Sequence, residues 1–188
     1  MAFDLDDMQQ QVWEKYLAKK NVALFGRAGC GKSTVMMRAI NHARRAHGAD
    51  RVGVLAWTNH SAGLIGGQTL HKFLRVGPAP LPKESVLQMV QKNSAAKYRI
   101  KNVRVMFIDE VSTIASRWFA VLEYVVRQLA IPYMQALPWG GCQVIGTYLR
   151  RTLIFILCLM RSHPALSMVL LCVPDSLVCV HQCANASI

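Results

Sequence analysis

The sequence predicts an α/β fold, a parallel sheet with helices on both faces, and three observations predict it. Short apolar runs alternate with longer segments of helical period. A glycine-rich loop follows the first apolar run at once and opens the next helical segment. A later apolar run ends on two adjacent carboxylates, Asp109 and Glu110.

The elements follow in order. Leu5, Met8, Val12, Trp13, Tyr16 and Leu17 fall at helical spacing, so residues 5–19 read as a helix. NVALF (21–25) is a buried-type strand, and residues 32–47 form a helix ended by Gly48. RVGVLAW (51–57) is a second strand, and residues 58–73 read as loop and short helices broken by Gly63, Gly66 and Gly67. GPAPLP (77–82) is a loop, residues 84–97 a helix, and VRVMFI (103–108) a third strand. Trp118, Phe119, Leu122, Val125, Val126 and Leu129 trace another helix. Pro132 and Pro138 bound a loop, and GCQVIG starts a fourth strand.

Composition narrows the partners. The 188 residues hold 22 Lys+Arg against 10 Asp+Glu, a net charge of +12. From Thr152 onward the only such residues are Arg161 and Asp175, so the excess sits in the first 151 residues. A basic front suits a polyanion such as nucleic acid, because each neutralised phosphate releases counterions. The six cysteines include no C-x-x-C; CVHQC (179–183) offers three ligands without a fourth, and a reduced setting is the simpler inference. The opening MAFDLDDMQQQ has neither an apolar signal core nor an Arg-rich presequence, so an intracellular protein is expected, nuclear in a eukaryote. The apolar runs 153–160 and 165–173 are split by Arg161-Ser162-His163-Pro164. Both fall well short of the ~20 residues that span a bilayer, so no membrane partner is expected.

Gly26-Arg27-Ala28-Gly29-Cys30-Gly31-Lys32-Ser33 fits G-x-x-x-x-G-K-[ST] between a strand and a helix, the setting of a phosphate-binding loop. Successive backbone N–H groups curl around phosphate oxygens there, and the helix N-terminus adds partial positive charge. Lys32 is expected to reach the β- and γ-phosphates, with Thr34 next to the Ser33 hydroxyl that would ligate Mg²⁺. A carboxylate at the end of a neighbouring strand should complete the site. RVMFIDEVS supplies Asp109 to hold Mg²⁺ and Glu110 to polarise the attacking water. These residues read as an ATP-hydrolysing engine.

What the engine drives comes from the segments between. LAWTNHSAGLIGGQTLHKF (55–73) resembles the two adjoining DNA-contact motifs of the PIF-one family of 5′-to-3′ DNA helicases, relatives of RecD-type helicases. Its pattern is Ala-Pro-Thr-Gly-x-Ala-Ala, then Gly-x-Thr-(Ile/Leu)-His-Ser-Phe. Ala56, Thr58, Ala62, Gly67, Thr69, Leu70, His71 and Phe73 match it. LDDMQQQV resembles the family's adenine motif with Gln9 in the Gln position; the glycine loop, MFIDEVSTI and WGGCQVI resemble its other blocks in order, over residues 5–146. The resemblance implies a RecA-like first motor domain of the P-loop class. It assigns nucleotide contacts to Gln9, Gly26, Ala28, Gly29, Cys30, Gly31, Lys32, Ser33 and Thr34. It assigns single-stranded DNA contacts to Thr58, Thr69, His71 and Phe73, and Lys72 stands where serine is usual and would add a phosphate contact. Trp57 replaces a proline, Asn59 a glycine and Cys30 a threonine. Arg44, Arg45, Arg99, Lys101 and Arg104 read as solvated charges.

The family would continue with Gly-Asp-x-x-Gln-Leu-Pro-Pro, but the chain reads TYLRRTLIFILCLM. Charge almost vanishes at the same place. The expectation is a truncated motor domain over 1–146 and an aberrant apolar tail over 147–188, from a frame change, a retained intron or a decayed gene copy. The family's second motor domain supplies an arginine worth ~10³–10⁵ in rate, so slow hydrolysis is expected. The alternatives are a non-motor P-loop ATPase, whose turnover ignores DNA, and a silent fragment that binds DNA or a partner without hydrolysis.

Overall fold

The computed structural model describes residues 5–26, 29–149 and 169–171. The first helix, α1 (Asp7–Leu17), starts where Asp6 and Gln9 satisfy each other's backbone: Asp6 Oδ1 accepts from the Gln9 N–H at 2.8 Å and Gln9 Oε1 from the Asp6 N–H at 3.3 Å. β1 (Val22–Gly26) runs into the glycine loop, from which α2 (Lys32–His47) emerges and stops at Gly48. β2 (Val52–Ala56), α3 (Asn59–Leu64), β3 (Gln68–Thr69) and α4 (Leu70–Leu74) follow. Then come α5 (Lys83–Lys92), α6 (Ser94–Asn102), β4 (Val105–Ile108), α7 (Ser116–Leu129), β5 (Gln143–Leu149) and β6 (Val169–Leu171).

Three elements depart from the sequence expectation. The single helix over 84–97 is two, because Asn93 adopts an extended conformation (φ −96°, ψ 101°) and its Oδ1 accepts from the Ala96 N–H at 2.9 Å. Asparagine competes with the backbone in this way, which favours caps over helix interiors. The unexpected strand is β3, which pairs with Leu55 and Ala56 of β2. Gly67 permits it: a Cβ there would lie 2.4 Å from the Val54 carbonyl oxygen. The expected loop between Pro132 and Pro138 is wound into 3₁₀ turns, Pro132–Met134 and Pro138–Gly141.

Among the described residues the strands form one parallel sheet in the order β3-β2-β4-β5-β1-β6. Alternation along each strand sends its side chains to two cores. Val22, Leu24, Val54, Ala56, Val105, Phe107 and Ile145 meet Val35, Met36, Ala39 and Ile40 of α2 and Val12 and Tyr16 of α1. Ala23, Phe25, Leu55, Met106, Ile108, Val144 and Tyr148 meet α4 to α7 on the other face. Helices therefore cover both faces. Gln143 ties β5 to the start of the fold: its buried amide donates to the carbonyls of Tyr16 and Lys20, each at 2.9 Å. No helix among the described residues is long and apolar enough to cross a membrane.

The expected tail boundary after Gly146 falls inside β5, which continues to Leu149. Three later residues, Val169–Leu171, extend the sheet beside β1.

Candidate active site

Parallel strands end together, so the segments after β1, β2, β4 and β5 gather along one edge of the sheet. Gly29 (φ +80°) and Gly31 (φ +78°) give the loop its left-handed turns. A Cβ on Gly31 would meet Gln9 Nε2 at 2.4 Å, so the α1 capping residue rests directly on the loop. A cavity of about 30 Å³ lies between them, lined by Met8, Gln9, Val12, Gly31, Lys32 and Val35. Lys32 folds back over the loop, where Nζ donates to the Gly26 carbonyl at 2.9 Å and to Cys30 Sγ at 3.6 Å. Ser33 and Thr34 are exposed on the first turn of α2. Ala28 lies outside the described residues.

The carboxylates stand one strand farther away than expected. β4 is not the neighbour of β1; β5 runs between them and pairs with both. Thr147 of that intervening strand is 2 % exposed, and its hydroxyl donates to Asp109 Oδ1 at 2.5 Å while accepting the Glu110 N–H at 2.8 Å. Glu110 has the left-handed backbone φ 48°, ψ 48°, a conformation that costs a non-glycine residue on the order of 1–3 kcal/mol. Its carbonyl accepts from the Thr113 N–H and hydroxyl, both at 2.8 Å.

The turn after β2 reaches the same carboxylate. Ser61 Oγ donates to Glu110 Oε2 at 3.2 Å, and Thr58 Oγ1 donates to Ser61 Oγ at 3.0 Å while accepting the Ser61 N–H at 3.1 Å. Thr58 is exposed and caps α3; Thr69 caps α4, its Oγ1 accepting the Lys72 N–H at 3.3 Å, and Lys72 is exposed. His71 is half-buried between the rings of Trp57 and Trp118, each 4.7 Å away centre to centre. Its Nε2 is buried without a partner among the described residues. Burial pushes its pKa below the ordinary histidine value.

Two expectations need correction. Phe73 is 0 % exposed and belongs to the α4–α7 core, so it presents no surface to a nucleic acid. Arg99 is not a solvated charge: it donates to the Phe73 carbonyl at 2.7 Å, and its guanidinium lies 5.2 Å from the Phe73 ring. Arg44 likewise donates to the Gly66 carbonyl at 2.8 Å. Trp57 packs against the core and the His71 ring.

Sequence reasoning missed Thr147 and Ser61. Thr147 sits in register with apolar Ile145 on a continuous strand, and only the length of that apolar run marks it as part of the sheet. Ser61 was signalled by its place three residues after Thr58, where a helix brings side chains together. Among the described residues no three His, Cys, Asp or Glu side chains cluster to hold a metal, and CVHQC lies outside them.

The PIF1-like helicase family model matches residues 4–154. The ATP-dependent DNA helicase PIF1 of Emericella nidulans is 33% identical over 137 residues, 71% of this chain and 18% of that protein. The ATP-dependent DNA helicase RRM3 of Saccharomyces cerevisiae is 27% identical over 142 residues, 74% of this chain and 19% of that protein. The crystal structure of Pif1 helicase from Candida albicans superposes with a TM-score of 0.70 at 28% identity, covering 78% of this chain and 32% of that one. Bacteroides sp Pif1 in complex with ADP-AlF4 shares the fold at 20% identity, with a TM-score of 0.64 over 92% of this chain and 43% of that one. The chain thus spans less than half the length of each of these relatives.

Proposed function

Because the chain belongs to the PIF1-like helicase family, we propose that it is the first motor domain of an ATP-dependent 5′-to-3′ DNA helicase, acting inside the cell, in the nucleus if the source is eukaryotic. The processes such a motor serves are DNA repair, recombination and telomere maintenance. The observation that supports this reading best is the convergence on one carboxylate. Glu110 lies at the sheet edge that carries the glycine loop, and it is hydrogen-bonded to the turn holding Thr58.

In this reading Gly26, Ala28, Gly29, Cys30, Gly31 and Thr34 wrap the phosphates, and Lys32 leaves the Gly26 carbonyl to neutralise the terminal ones. Gln9, held on the loop by its capping box, meets the adenine edge beside the Met8–Val12 cavity. Ser33 and Asp109 offer hydroxyl and carboxylate oxygens, the hard donors that Mg²⁺ takes, and would hold it with the nucleotide's own phosphates. When bound, the ion neutralises charge developing on the phosphate oxygens. Glu110 orients and deprotonates the attacking water. Thr58, Thr69 and Lys72 face the solvent edge and contact the backbone of single-stranded DNA, with His71 behind them and Phe73 acting only through the core. Residues 1–146 hold the motifs of the motor, and β5 carries its sheet on through Thr147 to Leu149.

The test is direct binding. Fluorescence anisotropy with a labelled oligo-dT should give saturable binding that weakens steeply with salt, and a fluorescent ATP analogue should bind in a Mg²⁺-dependent way. Binding of nucleotide with no affinity for oligo-dT would overturn the helicase reading and leave a plain P-loop ATPase.

A further inference from the structure

We infer that Ser61 is a positioning residue that ties Glu110 to the DNA-contact turn, holding the carboxylate back until DNA engages Thr58. The inference rests on the proposed helicase function and adds a regulatory contact to its site.

Three observations carry it. The first is a directional chain of hydrogen bonds, from the Thr58 hydroxyl at 3.0 Å to Ser61 Oγ and from there at 3.2 Å to Glu110 Oε2. Hydroxyls in series polarise one another, so what the first accepts or donates is felt by the second. The second is that the Glu110 backbone is pinned. Its N–H donates to Thr147 and its carbonyl is held by Thr113, so only side-chain torsions remain to move the carboxylate. With the backbone fixed, the Ser61 contact decides where Oε2 points. The third is that Ser61 is 9 % exposed while Thr58 is exposed, so a ligand on the surface reaches the first hydroxyl and not the second.

A general base must be free to reach its water, and a carboxylate oxygen that accepts from Ser61 is turned toward the DNA-contact turn instead. A DNA phosphate at Thr58 accepts a hydrogen bond from that hydroxyl in place of Ser61 Oγ. Ser61 then loses its incoming donor and is a weaker donor to Glu110. The carboxylate is released toward the nucleotide.

The test is hydrolysis by the full chain under single-turnover conditions, with and without oligo-dT, comparing Ser61→Ala and Ser61→Thr with the unsubstituted protein. Ser61→Ala removes one small hydroxyl and should lower the melting temperature by only a few degrees while leaving the half-saturating ATP concentration unchanged. It should raise the DNA-free rate about tenfold, the worth of one hydrogen bond to a charged group, and bring the DNA-stimulation ratio near one. Ser61→Thr keeps the hydroxyl and should keep the ratio. An unchanged ratio in Ser61→Ala, beside normal stimulation in the unsubstituted chain, overturns the tether alone. So does a ratio lost through a fall in the DNA-bound rate, which would make Ser61 an orienting group. If the unsubstituted chain hydrolyses ATP but ignores DNA, the helicase reading itself fails and the tether with it.

Discussion

Thr147 stands between the two carboxylates of the site: its hydroxyl donates to Asp109 Oδ1 at 2.5 Å and accepts the Glu110 N–H at 2.8 Å. One side chain on β5 thereby fixes the direction of one acidic group and the backbone of the next. Substitution by valine keeps the shape and removes both bonds, stranding a half-buried carboxylate and a backbone donor. Thr147→Val should lower stability by about 1–3 kcal/mol in urea unfolding. It should also weaken Mg²⁺-dependent nucleotide binding more than Mg²⁺-independent binding.

The loop and α1 meet at Gly31. Alanine there carries both a left-handed backbone penalty and a clash with Gln9 Nε2. The clash is with the far end of a flexible side chain, so the fold survives. Gly31→Ala should retain a native circular dichroism spectrum and lose about tenfold or more in affinity for a fluorescent ATP analogue, from ~1–2 kcal/mol of backbone strain.

Much of this site was legible and some was not, for physical reasons. The glycine loop and Asp109-Glu110 are local patterns with fixed chemistry, and the sequence locates them within a residue. Strand order is not local: apolar periodicity says that residues 105–108 form a strand but not that β5 separates it from β1. Thr147 hid for the same reason. A drop in charge after Gly146 marked a boundary, while the hydrogen bonds that bind Thr147 to the site are made to residues far back in the chain. Phe73 misled because a motif position need not touch the ligand; its ring is part of the core. Asn93 was readable in principle, since asparagine inside a helical run is a capping signal.

His71 gives the fold a pH dependence. Burial lowers its pKa in the folded state, so the unfolded chain binds the extra proton first. Stability is therefore fully present above about pH 6.5, the unperturbed histidine value, and falls as pH drops below it toward the folded value. Urea midpoints measured across this window should decline on the acid side. The decline should be smaller in His71→Gln.

The two described cysteines should differ in reactivity. Cys142 is buried and its thiol is pushed up to about 12 by burial, against a lowering effect of Arg104. Thiolate is the reactive form, so Cys142 should resist a maleimide in the native state. Cys30 is half-buried in the glycine loop. Peptide mass spectrometry after brief labelling should find Cys30 modified and Cys142 unmodified, with Cys30 protected by Mg²⁺–ATP.

The central claim is that nucleotide turnover in this domain answers to DNA. Steady-state ATP hydrolysis by the full chain, with and without single-stranded DNA, tests it most directly, with Lys32→Ala as control. Turnover should rise with DNA and disappear in Lys32→Ala. Turnover indifferent to DNA, or surviving the loss of Lys32, would contradict it.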